Sequence, residues 1–535
     1  MWTSVSKSTF AKTLPAVLEA IKAADFVAFD TELTGLHLSR QHRNGQLDDL
    51  QMRYAKQREC VANFGLLQVG LACFSWHGEK EKYAIKAYSF YVHPSAANGL
   101  QQERKFTCQL GSLAFLTEHD FDFNMAFREG IPFITRREEE IIKNNSAFYS
   151  KKDADKPMVA LKDEEKAFVG EILEHVDAWL EGLKRGQDEE YFTSLSKQIQ
   201  KCTFSPQSIE LPPLNSFQRL IFYQQIPLKY GDTLQITKKA GNILSICPSE
   251  RDPAKREAIL QEEKAQFERA LQEQVGFRVV IDALIDGRVP LIGHNCLIDV
   301  MHFYHKFIDS QFPGELTDFK TAANQHFPII FDTKFLAKQA GITENALNEL
   351  TNWTANLPEY SFFPEKNQKA AEEKFHDAGF DSVCTGRAFL ALLHRLKQDK
   401  SSLFSDPLAL KNSQSIVKAA IGSPLSNRLN IMQSDYEWMS LDPAISDPQP
   451  DRSNVLFWKN IPAETVTSTL QNELNTLAGT PIVSQVVWID DGSCFVQLES
   501  AEIAESLLKC ESTLGSLHSF SASQEESIRK RRRLN

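Results

Sequence analysis

Phe26-Val27-Ala28-Phe29-Asp30-Thr31-Glu32-Leu33-Thr34-Gly35 (FVAFDTELTG) is the stretch from which the fold is read. Phe26–Phe29 is a short apolar strand, and Asp30 and Glu32 follow it. Their i, i+2 spacing places both side chains on the same side of an extended chain. Gly35, just beyond, permits a sharp turn. Taken alone, an Asp-x-Glu pair is an ordinary surface turn.

Outward from this stretch, strand-like and helix-like segments alternate, which argues for an α/β domain. Phe64–Phe74 (FGLLQVGLACF), Tyr88–Val92 and Ile329–Phe331 read as strands. Pro290–Ile292 is a strand running into Cys296–Ile308, where the apolar spacing turns helical. Ser382–Lys397 is amphipathic, with Ala388, Phe389, Leu392 and Leu396 near one face. Two more carboxylates stand at helix starts: Asp299 in LIGHNCLIDVMHF, and Asp381 in FHDAGFDSV with His376 ahead of it. Each acid sits in an apolar context where an unpaired charge is costly. Anions that converge need a counter-charge, and hard divalent cations with oxygen ligands supply it. An Asp at a helix start is also an ordinary cap, and a His before a helix is often structural. The order DxE-x-x-G, GHN-x-x-x-D, H-x-x-x-x-D carries far more information than any one element.

That order resembles the exonucleases of the ribonuclease H-like fold that use three aspartates, a glutamate and a histidine. Within them the chain is similar to the poly(A)-specific ribonuclease family through FDTELTGL (Phe29–Leu36), FDFNMAFREGIPF (Phe121–Phe133), LIGHNCLIDVMH (Leu291–His302), FDTKFLA (Phe331–Ala337) and HDAGFDS (His376–Ser382). The resemblance implies that Asp30, Glu32, Asp299 and Asp381 hold metal and that His376 is the general base. It places Lys334 against the RNA, and leaves His294 and Asn295 without a separate role. The implied activity is a 3′→5′ exoribonuclease that shortens poly(A) and releases 5′-AMP, with two Mg²⁺ ions. A trimmer of small or noncoding RNA 3′ ends uses the same chemistry, and a non-catalytic RNA- or cap-binding scaffold is the alternative of a different class. Family members form homodimers, so a homodimer is expected.

Composition sets the bounds. The chain has 535 residues, 42% hydrophobic and 24% charged, an ordinary globular balance. Its formal charge of −11 excludes a basic nucleic-acid coat, so a polyanion must be met through local patches or metal ions. The nine cysteines are scattered without a C-x-x-C pair, which reads as a reducing compartment with no zinc site. No apolar run reaches membrane-helix length, and the start lacks a secretory signal.

The expected organisation is a nuclease domain in two parts (1–162 and 250–405), interrupted by a small α+β single-stranded nucleic-acid-binding module (163–249). A linker (406–453) follows, with the proline- and aspartate-rich Leu441–Ser453 extended and solvated. Then come an α+β RNA-recognition-like domain (454–520) and a basic tail (521–535). In the tail, Arg529-Lys530-Arg531-Arg532-Arg533 reads as a nuclear localisation signal or a phosphate-binding run. The expected location is nucleus and cytoplasm. In the insert, Arg219–Tyr223 matches an Arg-x-x-x-His motif with tyrosine in place of histidine. In the C-terminal domain, Phe457 and Phe495 stand where bases stack, with half-buried strand residues as the alternative. Trp488 matches a tryptophan that stacks on a 7-methylguanosine cap in the family, and the alternative is a packed aromatic of the sheet.

Overall fold

Phe26–Leu33 forms one continuous strand, longer than the expected Phe26–Phe29, so Asp30 and Glu32 lie inside it. Pairing extends it: a neighbouring strand runs opposite the whole stretch, with Asp30 across from Gly70 and Glu32 across from Gln68. In chain order, β1 is Thr3–Val5, β2 Phe26–Leu33, β3 Leu66–His77 and β4 Lys82–Pro94. The order across the sheet is β1-β4-β3-β2, continued by Leu291–Gly293 and Ile330–Asp332. β2, β3 and β4 are an antiparallel meander, and the last two strands run parallel to β2. This computed structural model describes residues 2–94, 104–146, 161–199, 201–239, 243–250, 253–355, 362–363 and 375–520. The basic run Arg529–Arg533 lies outside the described residues.

Strand alternation sorts the core into two layers. Val27, Phe29, Val69 and Leu71 pack with Lys7–Ala23, Arg278–Asp286, Leu297–Phe303 and Leu316–His326. Phe26, Ala28, Ala72 and Phe74 face the other way, against the helix Ala378–Lys400. Phe26 and Phe74 stack at 4.6 Å, and each such buried ring contributes about 1.5–3 kcal/mol.

Two compact units result, one from the chain up to Ile141 and from Glu273 onward, the other Ile142–Gln272. The second is larger than the expected 163–249. It takes in most of the helix Pro253–Val275, whose charge-rich sequence shows no clear apolar stripe. A four-stranded sheet of short strands and the helices Asp163–Lys184, Glu189–Ile199 and Ser216–Tyr230 share a core around Trp179, Phe192 and Phe222.

The expected linker is folded. Ser413–Ala420 is a helix, and Arg428–Asn430 pairs with Trp438–Ser440. Ile416, Val417 and Leu425 join one layer of the core, and Leu429, Ile431, Met439 and Leu441 the other. Leu441–Ser453 is tethered rather than solvated. Asp447 pairs with buried Lys320 and accepts the Ser440 N–H at 2.7 Å. Asp and Pro suggested free chain, but here an Asp carboxylate is an anchor.

Beyond it, Val455–Lys459, Ser484–Asp490, Ser493–Leu498 and Ser516–Ser519 form an antiparallel sheet backed by Thr467–Ala478 and Ala501–Leu507. Leu456, Trp458, Leu470, Leu474 and Val496 are its core. No described helix is long and apolar enough to cross a membrane.

Candidate active site

β2 outruns its parallel neighbour. Along β2, Leu291–Gly293 pairs with Val27 and Ala28 alone, so beyond Phe29 that edge of β2 is uncovered. The helix Leu297–Phe303 starts there, and the Thr31 hydroxyl donates to Asp299 Oδ1. Asp30 and Glu32 alternate to the other face, the one covered by Ala378–Lys400. Two helices thus bring acids to the end of one strand from opposite sides, at the carboxyl edge of the parallel strands where α/β folds place their sites.

The approach of Ala378–Lys400 depends on Gly70. A Cβ there would lie 1.7 Å from the Ala378 carbonyl oxygen, so only glycine lets the helix start lie on β3. The Ala378 N–H donates to Gln68 Oε1 at 3.0 Å, and Asp377 caps the helix by accepting from Gly379 and Phe380 N–H. This fixes the first turn and holds Asp381, only 5% exposed, over the strand. His376 precedes the turn with φ +74°, a left-handed conformation costly for any residue but glycine. Its N–H donates to Asp381 Oδ2 at 2.9 Å. Ligand atoms of Glu32, His376 and Asp381 all lie within 4.8 Å of one another.

The electrostatics follow from crowding. Burial, then Asp381, Glu32, Asp299 and Asp377, hold Asp30 well above the usual carboxylate range. Burial, then Asp381, Asp299 and Asp377, does the same to Glu32. Burial pushes Asp299 up to about 6 despite the Thr31 hydrogen bond, and Asp381 up to about 7 despite the His376 N–H. Burial and His119 lower His376 below the ordinary imidazole range.

These residues fit a divalent cation. Among the described residues no Lys or Arg pairs with Asp30, Glu32, Asp299 or Asp381. Asp381 Oδ1 is buried without a hydrogen-bond partner. Carboxylate oxygens that repel one another in a dry site are the donor set of a hard dication.

The other expected residues are placed variously. Lys334 opens the helix Thr333–Gln339 at the same sheet edge, where its charge, after burial, depresses His294 to about 3. His294 Nδ1 meets Thr333 Oγ1 at 2.9 Å, and Asn295 Oδ1 accepts from Asn430 Nδ2 at 2.9 Å. Phe495 is 8% exposed and packs with Phe457, Phe520 and Leu47, so its ring is not open for base stacking here. Trp488 is half-buried on the helix-covered side and donates its indole N–H to Thr467 Oγ1 at 2.9 Å, which favours the packed-aromatic alternative. Arg219 is drawn to Leu214 O and Ser216 Oγ, and Tyr223 is exposed.

Sequence reasoning missed Asp332. Fully buried, its carboxylate accepts the N–H groups of Asn295, Cys296, Lys334 and Asn430. It therefore ties the loop before Asp299, the Lys334 helix and the strand Arg428–Asn430 to one point. An Asp between a strand and a helix is an N-cap signature and could have flagged it. Thr31, Gln68 and Asp377 were likewise overlooked, being supports rather than acids of the motif.

The family model described as CAF1 family ribonuclease matches residues 5–389. A poly(A)-specific ribonuclease of Xenopus laevis is 31% identical over 527 residues, 93% of this chain and 77% of that protein. The Homo sapiens poly(A)-specific ribonuclease is 30% identical, over 93% of this chain and 76% of its own. A pre-piRNA 3′-exonuclease trimmer of Bombyx mori is 25% identical over 485 residues, 85% of this chain and 81% of its own. With the match spanning most of its length and a buried acidic site at the edge of its α/β sheet, this chain belongs to the CAF1 family of ribonucleases.

Proposed function

We propose that the chain is a Mg²⁺-dependent 3′→5′ exoribonuclease that shortens 3′ poly(A) and releases 5′-AMP, with Asp30, Glu32, Asp299 and Asp381 holding two ions and His376 as the general base. The observation that carries this reading is the convergence of these acids, mutually repelling and without a basic partner among the described residues. The names of the vertebrate relatives supply the substrate.

When bound, the cations supply charge for the scissile phosphate and acidify the attacking water. The chain's residues do the rest. His376 takes one proton from that water at its imidazole nitrogen, and its lowered basicity keeps the ring neutral and ready at pH 7. The new bond is water oxygen to phosphorus; the bond that breaks is phosphorus to the 3′ oxygen of the upstream nucleotide, which leaves as the 3′-hydroxyl after taking a proton from solvent water, and His376 returns its own proton to solvent. Lys334, at the same edge, suits contact with the RNA backbone. The C-terminal sheet is read as an RNA-recognition module, and a homodimer is part of the proposal on the family resemblance.

Purified protein given A-tailed RNA should release AMP only with Mg²⁺, and no release at any divalent cation would overturn the reading. A 3′-end trimmer is the second reading, favoured by the similarity to the pre-piRNA trimmer. Equal rates on A-tailed and mixed-sequence 3′ ends would select it.

A further inference from the structure

A general base needs its ring held in one orientation, and the usual device is a carboxylate or carbonyl accepting from the second ring nitrogen. His376 has no such partner: among the described residues, the hydrogen bond it makes is through its backbone N–H, to Asp381. Among the described residues, two aromatic rings lie against its imidazole. The Phe115 ring meets it at 4.5 Å and 75°, and the His119 ring at 4.1 Å and 71°, both edge-to-face. Phe115 and His119 lie 4.4 Å apart, one helical turn from each other at the end of Leu110–Glu118. His119 is itself fixed, since its Nδ1 lies 2.8 Å from the Phe115 carbonyl oxygen. A carbonyl only accepts, so Nδ1 carries the proton and the ring cannot flip without losing that bond.

We propose that His119 is a positioning residue: with Phe115 it forms an aromatic clamp that sets the orientation of the His376 ring in place of the missing hydrogen bond. The inference rests on His376 acting as the base in the reading above. The backbone of His376 is already fixed by its left-handed φ of 74° and its bond to Asp381, which leaves the side-chain torsions as the freedom the clamp removes. Edge-to-face contact suits this, because a ring quadrupole prefers that angle over a loose stack. His119 is exposed, so replacing it removes the contact without opening a core cavity.

The test compares His119→Ala and His119→Phe with the native chain, in native and His376→Ala backgrounds, and reads kcat and KM on A-tailed RNA. His119→Ala should lower kcat roughly 10-fold with KM within about 2-fold, the size expected when a catalytic group is held less well. His119→Phe keeps the ring and should restore kcat. In the His376→Ala background, His119→Ala should change nothing further. A second readout needs neither metal nor turnover: the His376 Cε1–H NMR signal, assigned by its loss in His376→Ala, should shift in His119→Ala and stay near its native position in His119→Phe. An unchanged kcat in His119→Ala, or an equal drop in both backgrounds, overturns the clamp. Native protein that releases no AMP at all defeats the functional reading instead, and the NMR signal then still decides whether His119 orders the ring.

Discussion

The N–H of His376 donates to one oxygen of Asp381 at 2.9 Å, while the other oxygen of that carboxylate is buried with no partner. One side of Asp381 thus fixes the residue that would take a proton, and the other is left for a cation. On the proposed reading, the base and the cation would both be positioned by a single side chain at the start of one helix.

Asp30→Asn separates folding from function. The native Asp30 is buried beside Asp381, Glu32 and Asp299, so its charge opposes the metal-free fold. The variant should melt about 1–3 °C higher than the native chain without metal at pH 8. Its AMP release should fall by more than roughly 100-fold, beyond what losing an outer support of a metal ligand costs. An AMP-release assay checks the activity, and calorimetry with and without Mg²⁺ checks the melting: the native chain gains from the cation, and the variant gains little.

Burial, with the crowding of like charges, sets a pH dependence. Asp299 and Asp381 titrate near 6 and 7 in the fold against about 4 when unfolded. A carboxylate with a raised folded value favours folding below its unfolded value, and that contribution is lost as pH rises through the folded one. Burial lowers His294 and His305 to about 3, so they act in the opposite sense, costing stability as pH falls below about 6.5. Above 6.5 these histidines are silent. Burial also lowers Lys306 to about 7, and a depressed lysine adds stability as pH rises through that value, opposing the carboxylates over the same interval. The carboxylates are therefore read through the cation, and the gain in melting temperature from Mg²⁺ should grow between about pH 6.5 and 8. Proton release on Mg²⁺ binding, read by titration calorimetry in two buffers, is the matching signal.

Trp488 offers a test of packing against recognition. Its indole lies against the core of the C-terminal sheet and donates to Thr467. Trp488→Ala should destabilise this region by about 2–4 kcal/mol, with Trp488→Phe costing roughly 1. Decay of capped and uncapped RNA should be affected alike. A loss confined to capped RNA, with unchanged melting, would return the residue to cap binding.

Which parts of this were legible in the sequence follows from what local pattern encodes. Asp30, Glu32, Asp299, Asp381 and His376 stood out because each is a polar residue in an apolar run at a strand or helix end. Asp332 stood in just such a run and was passed over, because its partners are backbone N–H groups, which leave no mark on sequence. His119 has no pattern at all: exposed and helix-terminal, it acquires its neighbour only through tertiary folding. The supposed linker was misread for a related reason. Leu429, Ile431, Met439 and Leu441 are buried by a short ribbon against a sheet formed far earlier in the chain, and Pro and Asp nearby gave the louder local signal.

Gly70→Ala tests whether the helix and the strand must touch for the acids to meet. An added Cβ would sit 1.7 Å from the Ala378 carbonyl oxygen and 2.6 Å from the Gly379 nitrogen. Both are backbone atoms of the turn that Gln68 and Asp377 anchor, so no side chain can swing away to make room. The start of Ala378–Lys400 must lift from β3, carrying Asp381 and His376 off Asp30 and Glu32. The rest of that helix is held independently by Phe389, Leu392, Leu393 and Leu396 in the core, so the protein should still fold. Activity should drop about 100-fold for a displacement near 1 Å. Mg²⁺ should raise the melting temperature less than in the native chain. Full activity in this variant would mean that the two elements need not meet as closely as they do, and that Asp381 reaches the site by another route.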